Sequence, residues 1–209
     1  IRGLAKHERK TLGNFWVDMV RGVLYILLPL SLIFALVLVS QGVIQNLKPN
    51  QAVHLTESIS YQTDKGIKEV KEQIIPMGPV ASQIAIKQLG TNGGGFFNTN
   101  AAHPFENPTP LTNFLEMLAI LLIPAAFCYT FGMMVKNTRQ GWAMLAAMVC
   151  IFIPFLLVAV ISEQENNPAV NQLGINVVGT TPGYPGGNME GKETRFGIVS
   201  SVLWTIATT

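Results

Sequence analysis

The chain has 209 residues, of which 49% are apolar and 12% are charged, and its formal net charge is +2. In soluble domains roughly a quarter of the residues are charged, so the low fraction here indicates a membrane protein. The positive charges are few and scattered, and no block of Lys and Arg lies beside aromatic residues, which argues against a nucleic-acid partner.

Residues 1–21 are predicted to form a cytoplasmic lead-in to the first membrane span, because they carry a basic cluster of Arg2, Lys6, Arg9 and Lys10. The chain begins without an initiator Met or a signal peptide, and we expect it to be a piece of a longer protein. Cys128 and Cys150 both lie in apolar runs. A thiol there usually acts as a small hydrophobic side chain, which favours packing over a disulfide or a metal site.

Three strongly apolar segments are long enough to cross a bilayer, which requires about 20 residues. They are predicted at residues 22–47, 114–135 and 142–161, with a kink at Pro29 in the first. Residues 136–141 are too few to be anything but a turn between two helices, and they carry Lys136 and Arg139. The positive-inside rule places this turn in the cytoplasm, so residues 48–75 and 162–192 become extracytoplasmic loops.

A shorter apolar segment, PMGPVASQIAIKQLG, lies between the first two spans at residues 76–90. Pro76 and Pro79 suit the start of a helix and Gly90 suits its C-terminal cap. About eleven helical residues cover roughly 16 Å, which is half of a bilayer. The segment is therefore either a helix on the surface or a re-entrant pore helix within a pore loop at residues 76–113.

Five residues follow that helix, and their sequence favours an ion filter. Thr91, Asn92, Gly93, Gly94 and Gly95 are predicted to return as an extended strand whose carbonyl oxygens replace the water shell of an ion. Oxygen ligands without a carboxylate favour a monovalent cation, and we expect K⁺ at Thr91, Asn92 and Gly93. A phosphate cradle is disfavoured because no Gly-Lys-Ser/Thr follows and Phe96 comes next.

Three ionisable residues near this run have alternative interpretations. His103 and Glu106 would form an outer vestibule that attracts cations, or a zinc site. The favoured interpretation is that they cap the loop before Pro104 and Pro108. Glu116 falls in the first turn of the second predicted span. An interfacial role there is favoured over an ion relay.

The end of the chain repeats the approach to the filter. Residues 190–209 again have a polar lead-in and a short apolar helix that ends at Thr208 and Thr209, and residues 193–209 are predicted to start the next pore helix. These two residues are predicted to approach a further filter strand. The predicted fold is therefore an all-α polytopic membrane protein of the K⁺ channel and transporter superfamily, built from repeated span, pore-loop and span units.

Several motifs along the chain resemble the potassium-transporting A subunits of bacterial Kdp ATPases: TLGNFWVD, LPLSLIFALVLVSQGVIQNL, PMGPVASQIAIKQLG, GTNGGGFFNTNAAHPFENPTPLTNF and NMEGKETRFG. The resemblance implies four such units in one polypeptide, of which this chain holds the second nearly complete and the lead-in to the third. It also implies that this subunit selects K⁺ from outside, in the plasma membrane of a bacterium or archaeon. No cofactor is implied on this chain, since a separate P-type subunit would hydrolyse ATP with Mg²⁺ and small single-span subunits would complete the complex.

The resemblance also locates the filter at Thr91–Gly95, with Asn92 and Gly94 in place of the Val and Tyr of the Thr-Val-Gly-Tyr-Gly signature. Loss of the Tyr ring favours one defined site over a rigid row of sites. Two other functions remain open at this point: a passive K⁺ channel or ion-gradient-driven K⁺ transporter of the same superfamily, and a membrane anchor whose polar loops bind a partner.

Overall fold

The computed structural model describes residues 1–3, 5, 12–63, 66–91, 94–165, 172 and 193–208. Lys6, Arg9 and Lys10 of the predicted lead-in lie outside these ranges, as does nearly all of the predicted loop 162–192. Asn92, Gly93 and Thr209 of the predicted ion site and filter approach also lie outside them.

The first long helix, α1, covers Phe15–Ser40 and contains a π-helical segment at Val23–Leu27. Asn14 caps its start, since its side chain accepts hydrogen bonds from the next turn. The π segment ends two residues before Pro29, which has no N–H to donate and whose ring clashes with a regular preceding turn. Helix α1 therefore accommodates the proline by a local change of winding.

Helix α1 begins and ends seven residues earlier than the predicted span at 22–47. It ends because Gly42 adopts φ +96°, a left-handed conformation that terminates a helix. The apolar residues beyond it leave the helix and turn inward, where Val43 is buried and the Ile44 carbonyl accepts a hydrogen bond from Ala81 at 3.0 Å. Their hydrophobicity thus serves tertiary packing.

Residues 51–63 and 66–75 form a β-hairpin, and the all-α expectation is wrong for these residues. Strands β1 (Gln51–Thr63) and β2 (Gly66–Ile75) pair antiparallel, with a register shift between His54 and Ile59. The sequence signal was a run rich in β-branched residues in each strand, and Gly66, the first residue of β2, adopts φ +113°. A two-stranded hairpin with polar faces lacks the strong apolar alternation that marks buried strands.

Helix α2 covers Val80–Leu89, and two long helices follow, α3 (Pro110–Met134) and α4 (Thr138–Gln164). Thr109 and Thr112 form a reciprocal capping box at the start of α3. The turn after α3 has Lys136 at φ +58°. Close packing joins the two helices at this end, since a Cβ on Gly141 would lie 2.5 Å from the carbonyl oxygen of Cys128.

Two short helices end the described chain, α5 (Glu193–Phe196) and α6 (Ile198–Thr208). Helix α2 lies at the centre, packed against α1 and α3, and α6 packs against α3 and α4. The core where these helices meet consists of Leu38, Val43, Val80, Ala81, Ile84, Ala85, Ala101, Met117, Ile120 and Trp204.

Helices α1, α3 and α4 are long and apolar enough to cross a membrane, which confirms the prediction of three such helices. Their outer faces carry many exposed apolar side chains, and α4 has only Gly141 buried. Such exposure is unfavourable in water and compatible with lipid or further protein. The chain is a mostly helical membrane protein.

Candidate functional site

The glycine run follows directly from the buried central helix. Helix α2 has ten residues and is about 15 Å long, half the thickness of a hydrocarbon core. Gly90 is its C-cap, and Thr91 adopts φ +59°, with its N–H bonded to the Gln88 carbonyl at 3.1 Å. Thr91 thus makes a tight left-handed turn, which corrects the expectation that the extended segment begins there.

The last two residues of the run have their carbonyl groups engaged by side chains of α2. The Lys87 ammonium donates to the Gly95 carbonyl at 2.8 Å. The Gln88 amide donates to the Gly94 carbonyl at 3.3 Å and to Glu116 Oε2 at 3.4 Å. These two carbonyls are therefore turned toward α2. Of the five predicted filter positions, Thr91 is exposed and Asn92 and Gly93 lie outside the described residues.

Glu106 is fully buried and holds the segment after the glycines. Its Oε2 accepts from the N–H groups of Phe96, at 2.5 Å, and Phe97, at 2.9 Å. Its Oε1 accepts from the N–H groups of Asn98 and His103, both at 3.3 Å. One carboxylate thus satisfies four backbone donors, a strong arrangement because each bond is charge-assisted.

The Glu106 carboxylate therefore faces backbone amides, and the outer-vestibule role of His103 and Glu106 stays a prediction. His103 is part-buried between the rings of Phe97 and Phe105, whose centroids lie 4.9 Å and 5.2 Å away. Its Nδ1 accepts the Phe105 N–H at 3.2 Å. Within the described part of the chain, no three His, Cys, Asp or Glu side chains cluster as metal ligands.

The peptide between Gly95 and Phe96 lies between two opposite charges. Its carbonyl oxygen faces the Lys87 ammonium, and its N–H faces the Glu106 carboxylate. Both contacts act along the dipole of the same peptide group, so they fix its orientation.

Gly95 has no room for a side chain. A Cβ built on it would lie 1.7 Å from the Asn98 carbonyl oxygen and 2.8 Å from Glu106 Oε1. The chain folds back on itself at this point because four amides converge on one carboxylate. Glycine is required here by close approach of the backbone.

Polar side chains fix the remainder of the loop onto the start of α3. Asn107, Thr112 and Asn113 are buried and bonded to one another: Asn107 donates to Asn113 at 2.9 Å, and the Thr112 hydroxyl donates to Asn107 Oδ1 at 2.7 Å. Buried polar groups that satisfy each other make a rigid unit. The loop is therefore ordered by side-chain hydrogen bonds and does not resemble a flexible linker.

Arg195, in α5, ties this loop to the last part of the chain. Its guanidinium donates to the carbonyls of Asn107, at 2.5 Å, and Ala102, at 2.6 Å. Burial lowers the pKa of Arg195 from its ordinary value, while the charges of Glu116 and Glu106 act in the opposite direction. The guanidinium thus crosslinks two segments that are far apart in sequence.

Glu116 is fully buried within the fold, and its interfacial role at the membrane stays a prediction. Helix α3 begins at Pro110, four residues before the predicted span, so Glu116 lies in its second turn against Gln88 of α2. At the chain end, the hydroxyl of Thr208 donates to the carbonyls of Trp204 and Thr205 within α6. The approach of Thr208 and Thr209 to a further filter remains a prediction.

Sequence reasoning missed Lys87, Gln88 and Arg195 as residues of this site. Lys87 and Gln88 were visible as polar residues at the end of an otherwise apolar helix, next to the glycines. Arg195 gave no local signal, because its acceptors lie 88 and 93 residues away.

The fold and site define a polytopic helical membrane protein. Between its long apolar helices lie a short buried helix and a glycine-rich loop that is hydrogen-bonded to Glu106. All of residues 1–209 match the family described as the potassium-transporting ATPase A subunit. The chain belongs to this family.

Curated relatives match the whole chain. One from Sorangium cellulosum is 61% identical over 209 residues, one from Herpetosiphon aurantiacus is 56% identical over 209 residues, and one from Methylococcus capsulatus is 55% identical over 226 aligned positions. Each is named a potassium-transporting ATPase potassium-binding subunit. The alignments cover 100% of this chain but 35%, 35% and 37% of those relatives, so the chain spans about a third of their length.

Proposed function

We propose that this chain supplies part of the K⁺-binding and translocating subunit of a high-affinity, ATP-driven potassium uptake system. The observation that carries the proposal is the glycine run, which begins at the end of a half-length helix and is braced by Glu106. A short helix directs the negative end of its dipole to its C-terminus, which favours a cation near Thr91.

We place the ion at Thr91, Asn92 and Gly93, where backbone carbonyls of a re-entrant pore loop would select K⁺ from the outside. The carbonyls of Gly94 and Gly95 already accept hydrogen bonds from α2, so they serve to anchor the loop. Such an anchor reduces the conformational freedom that an ion would otherwise have to restrict on binding.

The relatives' name supports a complex with an ATPase, and we infer three kinds of partner from it and from the resemblance in sequence. ATP and Mg²⁺ would bind to a P-type catalytic subunit, small single-span subunits would complete the assembly, and the bilayer would be a bacterial or archaeal plasma membrane. In this arrangement K⁺ is the substrate and the hydrolysis of ATP takes place on the P-type subunit.

The alternatives receive less support. A passive channel or a gradient-driven transporter would use the same loop chemistry, but the relatives' name favours a link to ATP. A membrane anchor would tolerate side chains in the glycine run, whereas Gly95 has no space for a Cβ.

The test is K⁺-stimulated ATPase activity of the intact complex carrying Gly93→Asp, titrated with K⁺ and with Rb⁺. A carboxylate in the ion path should shift the half-saturating K⁺ concentration at least tenfold and change the ratio of K⁺ to Rb⁺ affinity. Ser60→Asp adds the same charge to the exposed β-hairpin and serves as the control. An unchanged titration in an assembled Gly93→Asp complex would move the ion site elsewhere.

A further inference from the structure

Lys87 is the one cation in contact with the described part of the glycine run. It lies in the last turn of α2, is part-buried, and donates to the Gly95 carbonyl at 2.8 Å. The ion pairs found among the described residues join other side chains, namely Arg2 with Asp18 and Lys71 with Glu69. The Lys87 ammonium is thus hydrogen-bonded to a backbone carbonyl oxygen.

A carbonyl oxygen that accepts a hydrogen bond from an ammonium has a positive charge as its partner, as it would if a monovalent cation were bound to it. Both a lysine ammonium and K⁺ are satisfied by neutral oxygen atoms, and both repel a second cation. The opposite end of the same peptide donates to Glu106, which fixes the direction of the carbonyl. The Gly95 carbonyl oxygen therefore stays directed at the Lys87 ammonium.

We propose that Lys87 is a tethered cation, which keeps the Gly95 carbonyl away from transported ions and weakens ion binding at Thr91–Gly93 by its charge. This inference rests on the proposed function. It deepens that function by naming a residue outside the glycine run that sets the affinity for K⁺. It also provides a physical reason why a run of three glycines would hold a single ion.

The size of the effect follows from the chain length between the two charges. Gly95 is two to four residues from the proposed ion ligands, and a chain of that length spans at most roughly 7 to 14 Å. A unit charge at about 10 Å, at the effective dielectric constant of about 20 found in proteins, changes affinity on the order of tenfold. Removal of the charge should tighten binding by this factor.

The experiment compares Lys87→Met, Lys87→Arg and native chain in the full complex, by K⁺-stimulated ATPase activity and by equilibrium binding of Rb⁺. Methionine removes the charge and keeps the length of the side chain, whereas arginine keeps the charge. We expect the half-saturating K⁺ and Rb⁺ concentrations of Lys87→Met to fall about tenfold, with Lys87→Arg near native. Lys71→Met, on the exposed hairpin, controls for loss of a surface lysine.

A higher or unchanged half-saturating concentration in Lys87→Met would overturn the proposal, since a merely structural lysine should weaken binding when removed. If Lys87→Met fails to assemble, Lys87→Gln keeps a neutral donor and should show the same fall. Gly93→Asp separates the two proposals: a shifted titration there with none in Lys87→Met refutes only the role of Lys87. If neither variant shifts the titration, the proposed ion site also fails.

Discussion

Replacement of Gly95 by alanine is the sharpest test of the braced loop, because the structure leaves no space for one methyl group. Its Cβ would lie 1.7 Å from the Asn98 carbonyl oxygen, and real Cβ atoms essentially never come closer than 3.0 Å. The backbone must therefore separate by at least 1.3 Å, the difference between these two distances. Such a shift moves the segment off Glu106.

The cost follows from the hydrogen bonds that this movement breaks. The N–H groups of Phe96 and Phe97 are the nearest donors to Glu106 Oε2, at 2.5 Å and 2.9 Å. Hydrogen bonds to a charged group contribute about 1.5–3 kcal/mol each, so their loss destabilises the native loop by about 3–6 kcal/mol. The lower value already reduces the population of the native loop by about a hundredfold.

The assay is a K⁺ titration of ATPase activity in the intact complex, together with its thermal unfolding midpoint. We expect Gly95→Ala to raise the half-saturating K⁺ concentration at least tenfold and to lower the midpoint. Gly22→Ala is the matched control, because Gly22 is helical and a Cβ there meets nothing within 4 Å. Native-like affinity and stability of Gly95→Ala would refute the loop geometry on which this reasoning depends.

Three further predictions address other parts of the structure. Glu106→Gln replaces one accepting oxygen by an NH₂ group that faces two backbone donors, so the complex should lose about 2–4 kcal/mol of stability, measured by thermal unfolding; a native-like midpoint would contradict the buried carboxylate. Gly141→Ala places a Cβ 2.5 Å from the Cys128 carbonyl oxygen, so α3 and α4 must separate. We expect this variant to be about 1–3 kcal/mol less stable than the Gly22→Ala control. Equal unfolding midpoints of the two variants would contradict the close packing of these helices. Replacement of residues 52–74 by a two-residue turn should leave K⁺ half-saturation within about twofold of native, since Gln51 and Ile75 already face each other across the hairpin; a lost response would show that the hairpin contacts a partner.

The local pattern of apolar residues in the sequence was sufficient to predict the helices. Long apolar runs predicted α1, α3 and α4, because a helix in lipid must be apolar over its whole length. The shorter run with prolines at its start and Gly90 at its end predicted α2. The boundaries were less accurate, since Val43 and Ile44 are as apolar as lipid-facing residues and nothing local shows that they pack on α2.

The β-hairpin was missed because its polar strands carry only a weak alternation, and pairing between strands is a property of two segments together.

The sequence by itself therefore determined which segments are apolar helices and where the glycines interrupt them, because helix formation and burial in lipid follow from neighbouring residues. The tertiary structure decided what the charged residues do. Glu106 bonds amides up to ten residues away, Gln88 meets Glu116 across 28 residues, and Arg195 reaches Asn107 across 88 residues. A charge in an apolar setting must find a partner, but only the folded chain determines which partner lies within reach.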